Sequence, residues 1–275
     1  YVIAVSPWWP ERQRYAILNA CKIAKLNCMA LVNSTTAAAI AYTKIHAQRL
    51  PEDNPVPVAF IDFGNSSMNV AIAMVKQGSV AIKSFTYDDK LGGSHFTVEL
   101  IKYLLQKVQQ TYKIDPTTNR RAMIQFRNHA EKLKKTLSIN AQVQFEIPNL
   151  MNDIDVKFVV KREEFNEQIK DLISKVTIPI DAALQKANIN KEDLFDIEFL
   201  GGGSRVPAVK DKIAEFFGKD PKCSLNLDEC FAYGSAYMAA YLNPSTRVNL
   251  TVKDVSPYSV EAEWNEEEPQ KKELF

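Results

Sequence analysis

Residues 58–74, VAFIDFGNSSMNVAIAM, are two apolar runs separated by a short polar interruption. Continuous apolar runs of this length bounded by turn residues predict buried strands. A third follows the turn Lys76-Gln77-Gly78-Ser79 and extends to about 87, so 58–87 predicts an antiparallel meander. At the first tip, Gly64 and Asn65 can supply the positive φ of a hairpin turn. That leaves Asp62 unexplained. A carboxylate closing a buried strand, with the hydroxyls of Ser66 and Ser67 just beyond it, is more than a turn requires.

The flanking segments predict an α/β body. Residues 1–48 read as strand, helix, strand and an alanine-rich helix from about Thr35, and Pro51, Pro55 and Pro57 then break the chain. From Leu91 to about Gln168 the pattern becomes two long charged helices, two short strands and another helix, which reads as a lobe inserted into the body. A helix to about Asn188, a strand over 195–200, and helices over 206–217 and 227–241 complete it. After Asn243-Pro244 a strand-rich tail ends in charged residues, 266–273.

Several chemistries are excluded. Lys plus Arg number 34 against 33 acids, so no field favours nucleic acid or an anionic membrane surface. No apolar run approaches the roughly 18 residues of a membrane span, and the N-terminus lacks the basic region of a signal peptide. Cys21, Cys28, Cys223 and Cys230 match neither a zinc site nor a disulfide framework, so they are expected to be buried free thiols in a reducing compartment. His46, His95 and His129 lie far apart, without companion ligands.

Against only nine glycines in the chain, the run Gly201-Gly202-Gly203 stands out. It follows an apolar strand and precedes Ser204-Arg205-Val206-Pro207. Pro207 suits the first helical position, Val209, Ile213 and Phe216 share a face, and Gly218 suits the C-terminus. Strand, glycine turn and helix N-terminus together offer free amides and a positive dipole end, fit for a phosphate or nucleotide; a tight connection would read the same. It is neither a Walker A loop nor a dinucleotide fingerprint. In FRNHAEKLKKTLS, residues 126–138, Phe126, Ala130, Leu133 and Leu137 form an apolar stripe, and Glu131, Lys134, Lys135 and Ser138 line a neighbouring edge that, taken alone, reads first as a solvated face with a Glu-to-Lys pair. Gly92-Gly93 reads as a turn or hinge, and Asp228 as an acid near a helix N-terminus.

Taken in order, these features resemble the nucleotide-binding domain of the 70-kDa heat-shock chaperone superfamily over about residues 1–243. EKLKKTLS, MNDIDV, FFGKD, LNLDE and VKDVSPYSVEAEW lean toward its enlarged 110-kDa branch. The resemblance implies the two-lobed, actin-like (ribonuclease H-like) α/β fold with an α+β insertion subdomain. It divides the chain into 1–50, the remainder of lobe I; 51–90, the lobe II sheet; 91–169, the insertion; 170–222, more of lobe II; 223–243, a helix returning to lobe I; and 244–275, a linker and the start of a β domain for clients. The chain would begin after the family's first phosphate hairpin and catalytic lysine.

The ligands implied are ATP or ADP with Mg. Gly64, Asn65, Ser66 and Ser67 would approach the β- and γ-phosphates, and Asp62 would orient Mg-bound water. Glu131, Lys134 and Ser138 would meet ribose and base; Gly201, Gly202, Gly203 and Ser204 would form the backbone approach. Arg205 would stack on adenine, with weaker help from Lys135 where the family often has arginine, and Asp228 would lie on the cleft floor. Three departures point to binding rather than turnover: Ser34 replaces the family's catalytic acid, Asn69 an aspartate that binds a monovalent cation, and Ser6 the switch proline. The function implied is that of a cytoplasmic nucleotide-exchange factor and holdase, with a 70-kDa chaperone and unfolded clients as partners. A mainstream 70-kDa chaperone ATPase is the alternative, and a kinase on the same fold is remote.

Overall fold

The structure is a computed structural model describing residues 1–256, 258, 261–264 and 270–273. The chain opens with β1 (Val2–Val5), α1 (Glu11–Ile23), β2 (Ala30–Asn33) and α2 (Ser34–Ile45), β1 and β2 pairing in parallel. The meander follows as β3 (Val56–Phe63), β4 (Met68–Lys76) and β5 (Ser79–Asp88). Next come α3 (Gly93–Tyr112), α4 (Arg120–Leu137), the antiparallel pair β6 (Gln142–Met151) and β7 (Ile154–Lys161), α5 (Arg162–Gln168), α6 (Lys170–Ser174) and α7 (Thr177–Ala187). The chain returns through β8 (Asp196–Leu200), α8 (Pro207–Phe217) and α9 (Cys230–Leu242), then β9 (Thr251–Lys253) and a last antiparallel pair, β10 (Glu261–Trp264) with β11 (Gln270–Glu273).

A five-stranded sheet in the order β8-β3-β4-β5-β9 organises these elements. Its central strands β3 and β4 are apolar at both parities because both faces are covered, whereas β5 alternates. Ala59, Ile61, Phe63, Val70 and Ile72 face the core built with α3, α4, α7 and α8. Val58, Phe60, Ala71, Ala73 and Val75 face a second core with α2 and α9. The alanines of α2 let α9 approach closely: a Cβ on Gly234 would stand 1.9 Å from the carbonyl oxygen of Ala37.

Three residues of the expected linker, 251–253, pair with β5 at the sheet edge. On α8, Pro207 and Gly218 (φ +68°) occupy the first-turn and C-terminal positions expected of them. The buried face there is Val209, Ile213 and Phe217; Phe216, assigned to it from spacing, is only partly buried and meets Phe217 edge-on. Cys21 and Cys230 are buried, but Cys223 is exposed and Cys28 intermediate, so the expectation of four buried thiols holds for two. None of the described helices is long and apolar enough to cross a membrane.

Candidate functional site

Asp62, the penultimate residue of β3, lies between two neighbours: Asn69 on β4 and Leu200, the last residue of β8. The sheet register therefore brings the hairpin tip and the triple glycine to one edge, where strands give way to loops and ligands commonly bind in open α/β sheets. Neither Gly64 nor Asn65 adopts positive φ, contrary to the turn expected from their types. The tip is a wider loop closed by Gly64 N–H donating to Ser67 O at 2.9 Å. It is held down by α3, whose Gly93 and Ser94 amides donate to the carbonyls of Gly64 (3.0 Å) and Asn65 (2.7 Å). Those carbonyls satisfy helix-end donors that would otherwise be orphaned. The amides of Asn65 and Ser66 point to no protein acceptor among the described residues.

Glycine at 92, 201 and 203 is a matter of clearance from this tip. A Cβ on Gly92 would stand 2.7 Å from Asn65 O, which makes this a docking position rather than a hinge. Gly201, at φ +80°, would meet Phe63 O at 2.5 Å and Asp62 Oδ1 at 2.6 Å, and Gly203 would meet the Phe63 ring at 2.1 Å. Gly202 has nothing within 4 Å. The outer two glycines of the run thus fit the hairpin, and the middle one faces open space.

That space is a cleft of about 660 Å³, within the range of small-molecule sites. Of the residues singled out from sequence, Gly64, Asn65, Glu131, Lys134, Lys135, Ser138, Gly202, Gly203 and Arg205 line it. Asp62, Ser67, Gly201 and Ser204 are buried and not among its lining residues, and Ser66 is exposed outside it. Asp228 is not on its floor. Leu225 and Cys230 take the buried positions of that segment, and Asp228 is exposed with its carboxylate 3.0 Å from Arg205 Nη2. Ser34 opens α2 at the end of β2, half-buried and away from the cleft lining.

On α4, Phe126, Ala130, Leu133 and Leu137 are buried as their spacing predicts. Lys134, expected on the polar edge, is buried too. Its ammonium donates to Gly93 O, Thr97 Oγ1 and Glu131 Oε2, each at 2.8 Å. Burial opposes the charge on Glu131, but hydrogen bonds from Lys134 and Thr97 and the lysine charge hold its carboxyl below the ordinary value. Thr97, at the start of the second turn of α3, is the residue that sequence reasoning missed; only the i, i+4 spacing from Gly93 could have flagged it.

Asp62 is the strained member of the site. Burial pushes its carboxyl up to about 6, and the Asn69 amide, donating to Oδ2 at 3.2 Å, offsets only part of that. Asn69 Oδ1 beside it is buried without a partner among the described residues. Between the unfolded value near 4 and about 6 the folded protein keeps a proton that the unfolded chain has lost, so this group's contribution falls as pH rises through that window and is flat above it. Asp62→Asn is therefore expected to stabilise the protein by on the order of 2 kcal/mol at pH 7.5 and to change nothing near pH 3. Urea melts at the two pH values measure the difference.

No cluster of three or more His, Cys, Asp or Glu stands together among the described residues. A hard cation beside Asp62 would keep most of its waters.

The family model described as Hsp70 protein matches residues 1–274. The chain is 40% identical to Heat shock protein hsp88 of Neurospora crassa, over 97% of its own length and 38% of that protein's. It is 38% identical to a heat shock protein homolog of Saccharomyces cerevisiae, over 96% of its length and 38% of the relative's. For human Heat shock 70 kDa protein 4 the identity is 36%, over 96% of the chain and 32% of the relative. The chain therefore spans well under half the length of the curated relatives it matches.

Proposed function

Since the chain belongs to the Hsp70 family, with relatives of its 110-kDa type, we propose that it is the nucleotide-binding body of a 110-kDa-type chaperone, which takes ATP or ADP with Mg in the cleft. Support comes from one juxtaposition: Asn65 of the hairpin tip, with its unengaged amide, and the open face of Gly202 lie on one cavity with Glu131, Lys135 and Arg205. Amides without acceptors suit polyphosphate, and a guanidinium beside bare backbone suits a purine face. The buried Asp62 carboxylate and the orphaned Asn69 oxygen suit a hydrated cation. On this reading 1–50 and 223–243 belong to one lobe of an actin-like fold and 51–222 to the other, with 91–169 as its insertion.

ATP then serves mainly as a conformational ligand that biases the lobes toward closure by its differential affinity. Ser34, Asn69 and Ser6 leave the chain without the acid and switch residues that the mainstream family uses for turnover. The full-length protein would act in the cytoplasm as an exchange factor for a 70-kDa chaperone and as a holder of unfolded clients. The expected outcome is accelerated release of fluorescent ADP from a 70-kDa chaperone by the full-length protein, with little turnover of γ-labelled ATP by that protein alone. Rapid turnover with unchanged ADP release would support the mainstream ATPase instead.

A further inference from the structure

Two of the free cysteines, Cys21 and Cys28, stand together in space although α1 ends between them. Just past the helix, Lys25 takes a left-handed φ of +55°. The chain doubles back there: Lys25 N–H donates to Lys22 O at 3.1 Å, and Leu26 N–H to Cys21 O at 2.9 Å. A second bend follows, with Cys28 N–H donating to Leu26 O at 3.0 Å. This reversal lays Cys28 against the last turn of α1. Its thiol donates to Ala30 O at 3.5 Å, and its sulfur also lies within hydrogen-bonding reach of the Cys21 thiol. Cys21 is buried, only 5% exposed, whereas Cys28 is half-buried. Neither is among the residues lining the cleft.

We propose that Cys21 and Cys28 form a reversible dithiol–disulfide pair, oxidised by a hydroperoxide such as hydrogen peroxide. Cys28, the accessible partner, attacks first. Its sulfur takes one peroxide oxygen as the O–O bond breaks and becomes a sulfenic acid, while the other oxygen leaves as water with the thiol proton. Cys21 then attacks that sulfur; the S–O bond breaks, and the hydroxyl leaves as a second water with the Cys21 proton. Two thiols and one peroxide thus give one disulfide and two waters, and a dithiol reductant restores both thiols. Burial and the neighbouring thiol push the Cys28 thiol up, so the pair rests protonated at neutral pH and reacts slowly. Oxidation staples α1 to the approach to β2. The far end of that strand is already held, because Arg14 Nη2 on α1 donates to Asn33 Oδ1 at 2.8 Å. A transient disulfide of this kind is the form that a reducing compartment allows.

The test treats the full-length protein with a molar excess of hydrogen peroxide, alkylates the remaining thiols under denaturing conditions and digests with trypsin. Cleavage after Lys22 and Lys25 puts the two cysteines in separate peptides, 15–22 and 26–44. The expected product is those two peptides joined by a disulfide, from a chain that still runs as a monomer on a non-reducing gel, and separated again by dithiothreitol. Cys28→Ser should slow the loss of the Cys21 thiol by about 10-fold or more, since a buried thiol meets the oxidant poorly. Cys21→Ser should leave Cys28 without a resolving thiol, so that it goes on to the sulfinic acid. Cys223, exposed beside Glu198 and Lys210, is the control thiol. If peroxide consumes Cys223 while Cys21 and Cys28 both remain open to alkylation, the pairing is overturned. It is overturned equally if wild-type Cys28 reaches the sulfinic acid with Cys21 still free, or if the cross-link joins two chains.

Discussion

Gly203→Ala is expected to be the most damaging single methyl group in the site. The new Cβ would lie 2.1 Å from Cδ1 of Phe63 and 2.7 Å from its carbonyl oxygen. Phe63 cannot give way. Its ring is fully buried, with its centroid 5.5 Å from that of Phe96 on α3, and its backbone is paired with Met68 of β4, one residue past the last β3–β8 pair, Asp62 with Leu200. Relief must come from moving the β8–α8 turn off the hairpin. Overpacking a rigid site typically costs 1–3 kcal/mol, and with backbone on one side the expected loss is about 3 kcal/mol or more. For a domain of this size that lowers the melting temperature by on the order of 10 °C. Thermal melts followed by circular dichroism measure it, and a drop of under ~2 °C would mean that the turn and hairpin are not in contact.

Gly202→Phe, one residue earlier, should do the reverse. Gly202 is exposed, has nothing within 4 Å of a new Cβ and does not take positive φ. Any residue is tolerated there by backbone and packing, so the melting temperature should move by less than about 2 °C, a surface-substitution effect. The benzyl group would enter the cleft between Asn65 and Arg205 and displace any ligand lying against the turn. ADP affinity should fall by at least ~100-fold, the scale expected for steric exclusion of a bound ring. Gly202→Ala, adding one methyl to open space, should cost only a few-fold. The two neighbouring glycines therefore separate fold from function: one variant melts, the other stays folded and loses its ligand.

The elements of this fold are largely legible because the chain states them in apolar runs and punctuation. The meander follows from 58–87, α8 from Pro207 and Gly218, and the buried stripe of α4 from Phe126, Ala130, Leu133 and Leu137. Contact across elements is not legible in the same way. Nothing in the run Gly201-Gly202-Gly203 distinguishes its members; only the position of Phe63 on another strand does. Lys134 reads as a surface residue by spacing, and its burial depends on Gly93 and Thr97 presenting oxygens from α3. Likeness alone puts Asp228 on the cleft floor, whereas Asn226, whose side chain accepts from the Asp228 amide at 3.0 Å, sets a turn that leaves the carboxylate outside with Arg205. Residue types at the hairpin tip imply a turn on positive φ, and instead its carbonyls face α3.

Calorimetric titration of ADP with Mg into the full-length protein, beside its Gly202→Phe variant, decides whether the cavity between the Asp62 hairpin and the glycine turn is a nucleotide seat. One equivalent taken up by the wild type and none by the folded variant is the expected pair of results. Heat of binding that is absent from both, or undiminished in the variant, would contradict it.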